Sequence, residues 1–305
     1  MQLLALSHYE NDTDTRFGDC ILVFDQYNLI VYDCGHQRHA DYVKHFLEEH
    51  PRITSVYIVV SHNDSDHTAG ICDLLNYLHD QHCYTVQVFA HLYLKHVDEI
   101  LDAIDDGRRS RERLKEHLLD EFNHIREIIE TSDQLHFMVV EALSGTAVAN
   151  GRIVGPTKEE FIETAAKAVD NRENNIIEEE TVMNAASVQL KCYVDNTGDV
   201  LLCGDAAPSF LHNIHDYDIV QLPHHGQLND AQAVFKQLEG ASYKKVFLVS
   251  DNTGSSKTSG GSDDLVEYMQ QEQYTPAKNT RNGIVDLPCG GIIPARNSGR
   301  RTYLG

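Results

Sequence analysis

Ser61-His62-Asn63-Asp64-Ser65-Asp66-His67-Thr68-Ala69-Gly70 sets two imidazoles and two carboxylates within six residues, directly after the apolar run Val56-Tyr57-Ile58-Val59-Val60. A strand that ends in such a turn brings four metal-binding side chains into one small volume. Neutral imidazole nitrogen and carboxylate oxygen are the donors that hard or borderline divalent cations take. The segment reads as a metal site at the end of a strand.

Working outward, the same punctuation recurs: an apolar run, then a turn carrying Asp, His or Gly. It is seen in Phe17-Gly18-Asp19-Cys20-Ile21-Leu22-Val23, Leu29-Ile30-Val31-Tyr32-Asp33-Cys34-Gly35, Val200-Leu201-Leu202-Cys203-Gly204-Asp205 and Leu222-Pro223-His224-His225-Gly226. Asn184-Ala185-Ala186-Ser187-Val188 and Thr280-Arg281-Asn282-Gly283-Ile284 complete the set. In this order the pieces resemble the metallo-β-lactamase superfamily. The Asp at the third position of His-x-Asp-x-Asp-His is similar to the hydrolase domain of the DNA-competence channel ComEC and its stand-alone relatives. The resemblance spans nearly the whole chain, with divergence between about residues 92 and 182. It implies an αββα metallo-β-lactamase sandwich, α/β in class, as one domain over 1–305 with a helical insertion over roughly 93–182.

The resemblance also implies a ligand set. His62 and Asp64 would hold one divalent ion. Asp66 and His67 would hold a second, joined by a histidine of the His224-His225 pair. Asp205 would bridge them, because two cations a few ångströms apart need an anion between them. The superfamily's Pro-x-His pattern favours His225 as the ligand and leaves His224 for proton transfer, so Asp66, Asp205 and His224 are the catalytic candidates. Asn184 stands where many relatives have a histidine, and Asp64 replaces another. Zn²⁺ is expected foremost, but both exchanges favour oxygen at the first ion, which then holds Zn²⁺ less selectively and tolerates Mn²⁺ or Mg²⁺ better. Asn184 and Asp33 are either ligands or supports of ligands.

Composition sets the bounds. The chain has 305 residues, 41% of them hydrophobic, which is ample for a large core. Its 47 acidic and 25 basic residues give a formal charge of −22, a field that repels polyanions over most of the surface. The seven cysteines form no Cys-x-x-Cys pair and read as buried free thiols of a reducing compartment. The start lacks the positive flank of a signal peptide, and no apolar run reaches the length of a membrane span. A cytoplasmic protein with no membrane partner is expected, without ComEC's channel.

Along the chain, residues 2–7, 20–24 and 29–33 read as a meander. Asp41–Glu49 and Gly70–Leu78 read as helices, with Val56–Val60 and Val86–Phe89 as strands. From Tyr93 to Thr131 the spacing predicts helices broken near Gly107, and a second helical tract is expected over 159–182. These would form a lid, a surface for a second copy or another protein, or simply a helical insertion on the sandwich edge. Arg108, Arg109, Arg111, Arg113 and Lys115 make the one basic cluster within them. The glycine- and hydroxyl-rich stretch from Ser250 to Thr258 offers Asn252 and Lys257 as substrate-side groups, though its spacing is not that of a P-loop.

A bridged pair of ions lowers the pKa of water towards neutrality and steadies charge on a phosphoryl or acyl oxygen. The expected function is therefore a dinuclear metal-dependent hydrolase using a metal-bound hydroxide, a phosphodiesterase or nuclease acting on nucleotide or nucleic-acid phosphodiesters. The alternatives are a hydrolase of a small carboxyl ester, lactone or thioester, which the acidity favours, and a weakly active regulatory subunit that engages a protein partner through the helices.

Overall fold

Side-chain alternation along the strands decides the architecture. In β2 (Ile21–Phe24) and β3 (Asn28–Tyr32), Ile21, Val23, Ile30 and Tyr32 pack on one face, with Leu22, Phe24, Leu29 and Val31 on the other. That is the period of two of an extended chain. Both faces are apolar, so the sheet must be covered on both sides. The computed structural model, which describes residues 1–6, 18–104, 110–169, 176–177, 180–238, 240–250, 263–288 and 291–293, meets this with two sheets face to face and helices outside. The αββα sandwich expected from the motifs is the fold.

The first sheet adds β1 (Gln2–Ala5), β4 (Ser55–Val59), β5 (Thr85–Ala90), β6 (Met138–Glu141), β16 (Ile284–Leu287) and β17 (Gly291–Ile293), in the order β17-β16-β1-β2-β3-β4-β5-β6. Its pairs are antiparallel from β17 to β3 and parallel from β3 to β6. The second sheet runs β15 (Lys278–Asn279), β14 (Val246–Val249), β13 (Ile219–Gln221), β12 (Gly198–Leu202), β11 (Gln189–Val194), β8 (Gly151–Gly155), β7 (Ala147–Val148). It too is half parallel, from β12 to β15.

Three cores result. Leu3, Ile21, Ile30, Tyr32 and Phe89 meet Val188, Leu190, Val200, Leu202 and Leu248 between the sheets. Helices Gln37–Glu49 and Ile71–Gln81 cover the first sheet through Val43, Phe46, Leu47, Leu74, Leu75 and Leu78. Helices Leu228–Gln237 and Asp263–Gln271 cover the second through Val234, Phe235, Leu265 and Met269. The parallel strands of both sheets end at one rim, where open α/β sheets place their sites. The turns after β3, β4, β12 and β13 carry Asp33, His62 to His67, Asp205 and His224-His225.

The segment 93–182 is only partly helical. Helices Val97–Ile104, Arg111–Glu121, Asn123–Gln134 and Lys158–Val169 join the apolar core of the first sheet, Asn123–Gln134 against β5 and β6 and the other three largely against one another. Between them β6 becomes an edge of the first sheet, and the β7–β8 hairpin an edge of the second. The chain thus crosses between sheets inside this segment, which the sequence reading had as helical. Edge position explains the weak pattern: β6 is partly exposed throughout, with Met138 59% exposed, so its residues need not alternate. The expected helix over 159–182 stops at Val169. The described part beyond it is a ribbon of β9 (Ile176–Ile177) and β10 (Glu180–Thr181) and a single helical turn, Val182–Ala185. Two adjacent β-branched isoleucines favour that extended state.

Candidate metal centre

The metal turn is seated by glycines. Asp66 lies in the short helix Ser65–Thr68, and its carbonyl accepts the Asp19 N–H at 2.9 Å. A Cβ at Gly18 or Gly35 would stand 1.5 or 1.6 Å from that same oxygen, so neither position admits a side chain. The Cys34 N–H is bonded to the His67 carbonyl at 2.9 Å. Asp64 precedes the short helix as its N-cap, yet its carboxylate makes no capping bond and lies 3.8 Å from His62 Nε2.

Three imidazoles are each held by Nδ1, leaving Nε2 for the centre. His225 Nδ1 lies 3.0 Å from Asp19 Oδ1 and 2.9 Å from the Ser250 carbonyl oxygen. Both partners accept, so Nδ1 carries the proton. His67 Nδ1 donates to Asp33 Oδ2 at 2.8 Å, while Asp33 Oδ1 accepts the Ser61 N–H at 2.7 Å. His62 Nδ1 lies 2.9 Å from Ser61 Oγ and 3.2 Å from Ser187 Oγ. The Ser187 hydroxyl donates to the Asn184 carbonyl at 2.8 Å, so it accepts from His62. Fixing the tautomer through the outer nitrogen is how proteins orient imidazole ligands.

The freed nitrogens converge on Asp205, which is 2% exposed. His67 Nε2 is 3.4 Å from Asp205 Oδ1, and His62 Nε2, His225 Nε2 and His224 Nε2 are 3.8, 3.9 and 4.0 Å from Oδ2. Asp66 Oδ2 is 3.4 Å from His225 Nε2. His62 Nε2, His67 Nε2 and Asp205 Oδ1 are fully buried and make no hydrogen bond among the described residues. Native interiors rarely leave such atoms unsatisfied. Donor atoms of His62, His67 and Asp205 all lie within 4.8 Å of one another. The donor set fits divalent cations: imidazole nitrogen and carboxylate oxygen, buried, aimed at one space and otherwise unpaired.

Asp19, His67 and His225 form a second cluster of the same size, but Asp19 is already committed. Its Oδ1 faces His225, and its Oδ2 accepts from Gln221 Nε2 and Ser250 Oγ, both at 2.8 Å. It acts as the anchor of His225 rather than as a donor to an ion. Gln221 Oε1 in turn accepts the Cys203 N–H at 2.9 Å, tying this network to the turn that carries Asp205.

The buried carboxylates favour positive charge on the imidazoles around them. Burial works against charging His67 and His225, yet Asp205, with Asp33 and Asp19 respectively, outweighs it and pushes both well above the usual histidine range. His62 has only hydroxyls behind it; burial and the nearby His67 hold it down. Burial alone would raise Asp205 and Asp66, but the surrounding imidazoles keep both carboxylates well below their ordinary range.

Other candidates fall as follows. Asp33 is fully buried behind His67, and Asn184 enters through its carbonyl. His224 sits at the open side with its side chain 27% exposed, Nδ1 lying 3.7 Å from Asp230 Oδ2. Lys257 and Asn252 lie outside the described residues, as do Arg108 and Arg109. Arg111 reaches Asp98 at 3.1 Å. Asp19, Ser187, Gln221, Asp230 and Ser250 were not identified as site residues from sequence; the Gly18-Asp19 and Asn184-x-x-Ser187 motifs were the available signals. No helix among the described residues is long and apolar enough to cross a membrane.

No family model and no curated protein matches the chain. Among solved structures, the metallo-β-lactamase fold protein YhfI of Bacillus subtilis shares 10% identity over 72% of this chain and 70% of its own, with a TM-score of 0.39. A Cronobacter sakazakii metallo-β-lactamase variant shares 15% over 86% and 79%, with a TM-score of 0.35. The architecture stands on the sheets and cores of this chain alone.

Proposed function

We propose that this chain is a metal-dependent hydrolase with two divalent ions, acting on phosphodiesters of a nucleotide or a short nucleic-acid strand. The observation that carries the metal reading is the convergence of buried, unsatisfied His62 Nε2, His67 Nε2 and Asp205 Oδ1. His67, His225, Asp66 and Asp205 would hold one ion, and His62, Asp64 and Asp205 the other. Zn²⁺ suits the first group, and Mn²⁺ or Mg²⁺ is tolerated by the oxygen-richer second. Such ions, when bound, supply an acidified water and positive charge opposite the oxygen on which negative charge develops.

The chain's own residues do the rest. Asp33, Asp19 and the Ser61–Ser187 pair keep three imidazoles in one tautomer and one orientation. His224 stands at the open side with its Nδ1 towards Asp230, where Nε2 can take or give a proton to a leaving group. The phosphodiester preference rests on the Asp64 and Asn184 substitutions of the ComEC-like pattern. The charge of −22 favours a small substrate, and a neutral lactone or ester is the second reading. The deciding experiment strips the protein with a chelator, reloads Zn²⁺ or Mn²⁺, and screens bis-p-nitrophenyl phosphate, single-stranded DNA, RNA and a lactone panel. Metal-dependent turnover of the phosphodiesters alone supports the proposal; turnover of lactones alone refutes it.

A further inference from the structure

One residue of the metal turn faces away from the centre. Asn63 lies between His62 and Asp64 and is 6% exposed, yet its side chain is spent entirely on the helical segment. The helix Asn123–Gln134 begins at Phe122, which offers no side-chain cap. The first N–H groups of a helix need an acceptor. Asn63 Oδ1 supplies it from across the fold, accepting the His124 and Ile125 N–H groups at 3.0 Å each. Asn63 Nδ2 donates to the Glu121 carbonyl at 3.2 Å, in the last turn of the preceding helix, and to Asn123 Oδ1 at 3.3 Å. His124 Nδ1 returns a bond to the Asn63 carbonyl at 2.7 Å. A single asparagine thus caps one helix, meets the end of another, and has its own peptide held.

We infer that Asn63 is a positioning residue through which the helices at 111–134 fix the His62–Asp64 backbone, and with it the ion those two residues hold. This rests on the two-ion reading above. The other half of the turn has separate supports: the Asp66 carbonyl on Asp19, the His67 carbonyl on Cys34, and His67 Nδ1 on Asp33. Loss of the Asn63 contacts therefore loosens the His62–Asp64 ion and spares the ion at His67 and His225. Metal ligation tolerates only a few tenths of an ångström of ligand displacement, so a small peptide shift is enough.

The test is equilibrium dialysis with Mn²⁺ and elemental analysis on the full chain, with thermal melting as the folding control. Asn63→Ala is expected to weaken the looser ion about tenfold and leave the tighter one within about twofold. Asn63→Asp keeps the oxygen that accepts the His124 and Ile125 N–H groups, at a helix N-terminus that favours negative charge, but loses the donations to Glu121 and Asn123, so it should restore only part of the loss. His124→Ala removes the bond to the Asn63 carbonyl while leaving the cap; a smaller weakening of the same ion is expected, which also covers the case in which Asn63→Ala does not fold. Two ions bound as tightly in both alanine variants as in the parent protein would overturn the inference. Fewer than two ions in the parent protein itself would instead sink the two-ion reading, and this inference with it.

Discussion

If the proposed two-ion centre holds, Asp19→Asn should weaken the tighter ion about 10-fold or more while leaving the fold. The carboxylate is 1% exposed and accepts three hydrogen bonds, from His225, Gln221 and Ser250. Asparagine has one accepting end and one donating end. With its oxygen towards His225, its amide nitrogen meets the donors Gln221 Nε2 and Ser250 Oγ. With the oxygen towards those two, its amide N–H groups meet His225 Nδ1, which must then accept and carry its proton on Nε2, the atom needed by the ion. Either way a charge-assisted contact is lost, and one arrangement blocks the ligand outright.

Removing a partner that orients a metal-bound imidazole typically costs 10–100-fold in affinity, or about 1.4–2.8 kcal/mol. Leaving a buried donor unsatisfied adds about 1–3 kcal/mol to the cost of folding. Isothermal titration of the chelator-stripped variant with Zn²⁺, beside its melting temperature, reads both. A loss of 10-fold or more in the tighter step, with the looser step less changed, is expected. An Asp19→Asn protein whose tighter step stays within about twofold of the parent would refute Asp19 as the anchor of His225.

Three further outcomes follow from the same geometry. Asp205→Ala should lose most bound metal and all hydrolysis while keeping its circular dichroism, since the carboxylate is shared by four imidazoles; two full equivalents by elemental analysis would contradict this. Ser187→Ala should weaken only the ion at His62, and by less than Asp33→Asn weakens the ion at His67, because a hydroxyl backs an imidazole more weakly than a carboxylate does; dialysis ranks the two. His91 is buried against Phe161, with Nε2 bonded to the Ala186 carbonyl, and burial holds it down to about 4. The unfolded chain therefore binds this proton first as pH falls from about 6.5, so stability should decline towards pH 4 and level off below, by on the order of 3 kcal/mol. Denaturant melts of His91→Phe between pH 4 and 7 should show a shallower slope, and an unchanged slope would exclude His91 as its source.

The sequence reveals the candidate ligands far better than the groups that orient them. His62, Asp64, Asp66 and His67 share one turn, and Asp205 and His225 each close an apolar run, so local pattern was enough to propose them as ligands. Their supports are not local. Gln221, His225 and Ser250 stand 202, 206 and 231 residues from Asp19 and meet it only because the parallel ends of both sheets share one rim. Asn63 looks like a spacer between two ligands, and nothing in the chain says that a helix 60 residues on will be capped by it. The strands β6, β7 and β8 were missed for a different reason: β6 and β7 are short edge strands, β6 partly exposed at every residue, and β8, between β11 and β7, has glycine at two of its five positions.

Backbone conformation shows what assembling the centre demands. Asp33, His224 and His225 all have left-handed φ, at 59°, 50° and 54°, a region that costs a non-glycine residue about 1–3 kcal/mol when it is strained. Two such residues in succession turn the chain so sharply that adjacent imidazoles serve different neighbours. His225 goes inward, to Asp19 and Ser250 on one nitrogen and towards Asp66 on the other. His224 stays at the open side between Asp205 and Asp230. A right-handed or extended backbone at Pro223-His224-His225-Gly226 would carry the rings elsewhere, and the pair could not meet the same centre from two sides. The left-handed turn is held by the contacts it creates: the His224 N–H bonded to the Gly204 carbonyl at 3.3 Å, and the Gln227 N–H to the His224 carbonyl at 3.0 Å. Gly204 is itself left-handed and packs on Ser61, which stands behind His62 and His67. The turns of the two sheets thus brace one another through backbone as well as side chains, so the centre is a property of the rim and not of any one motif.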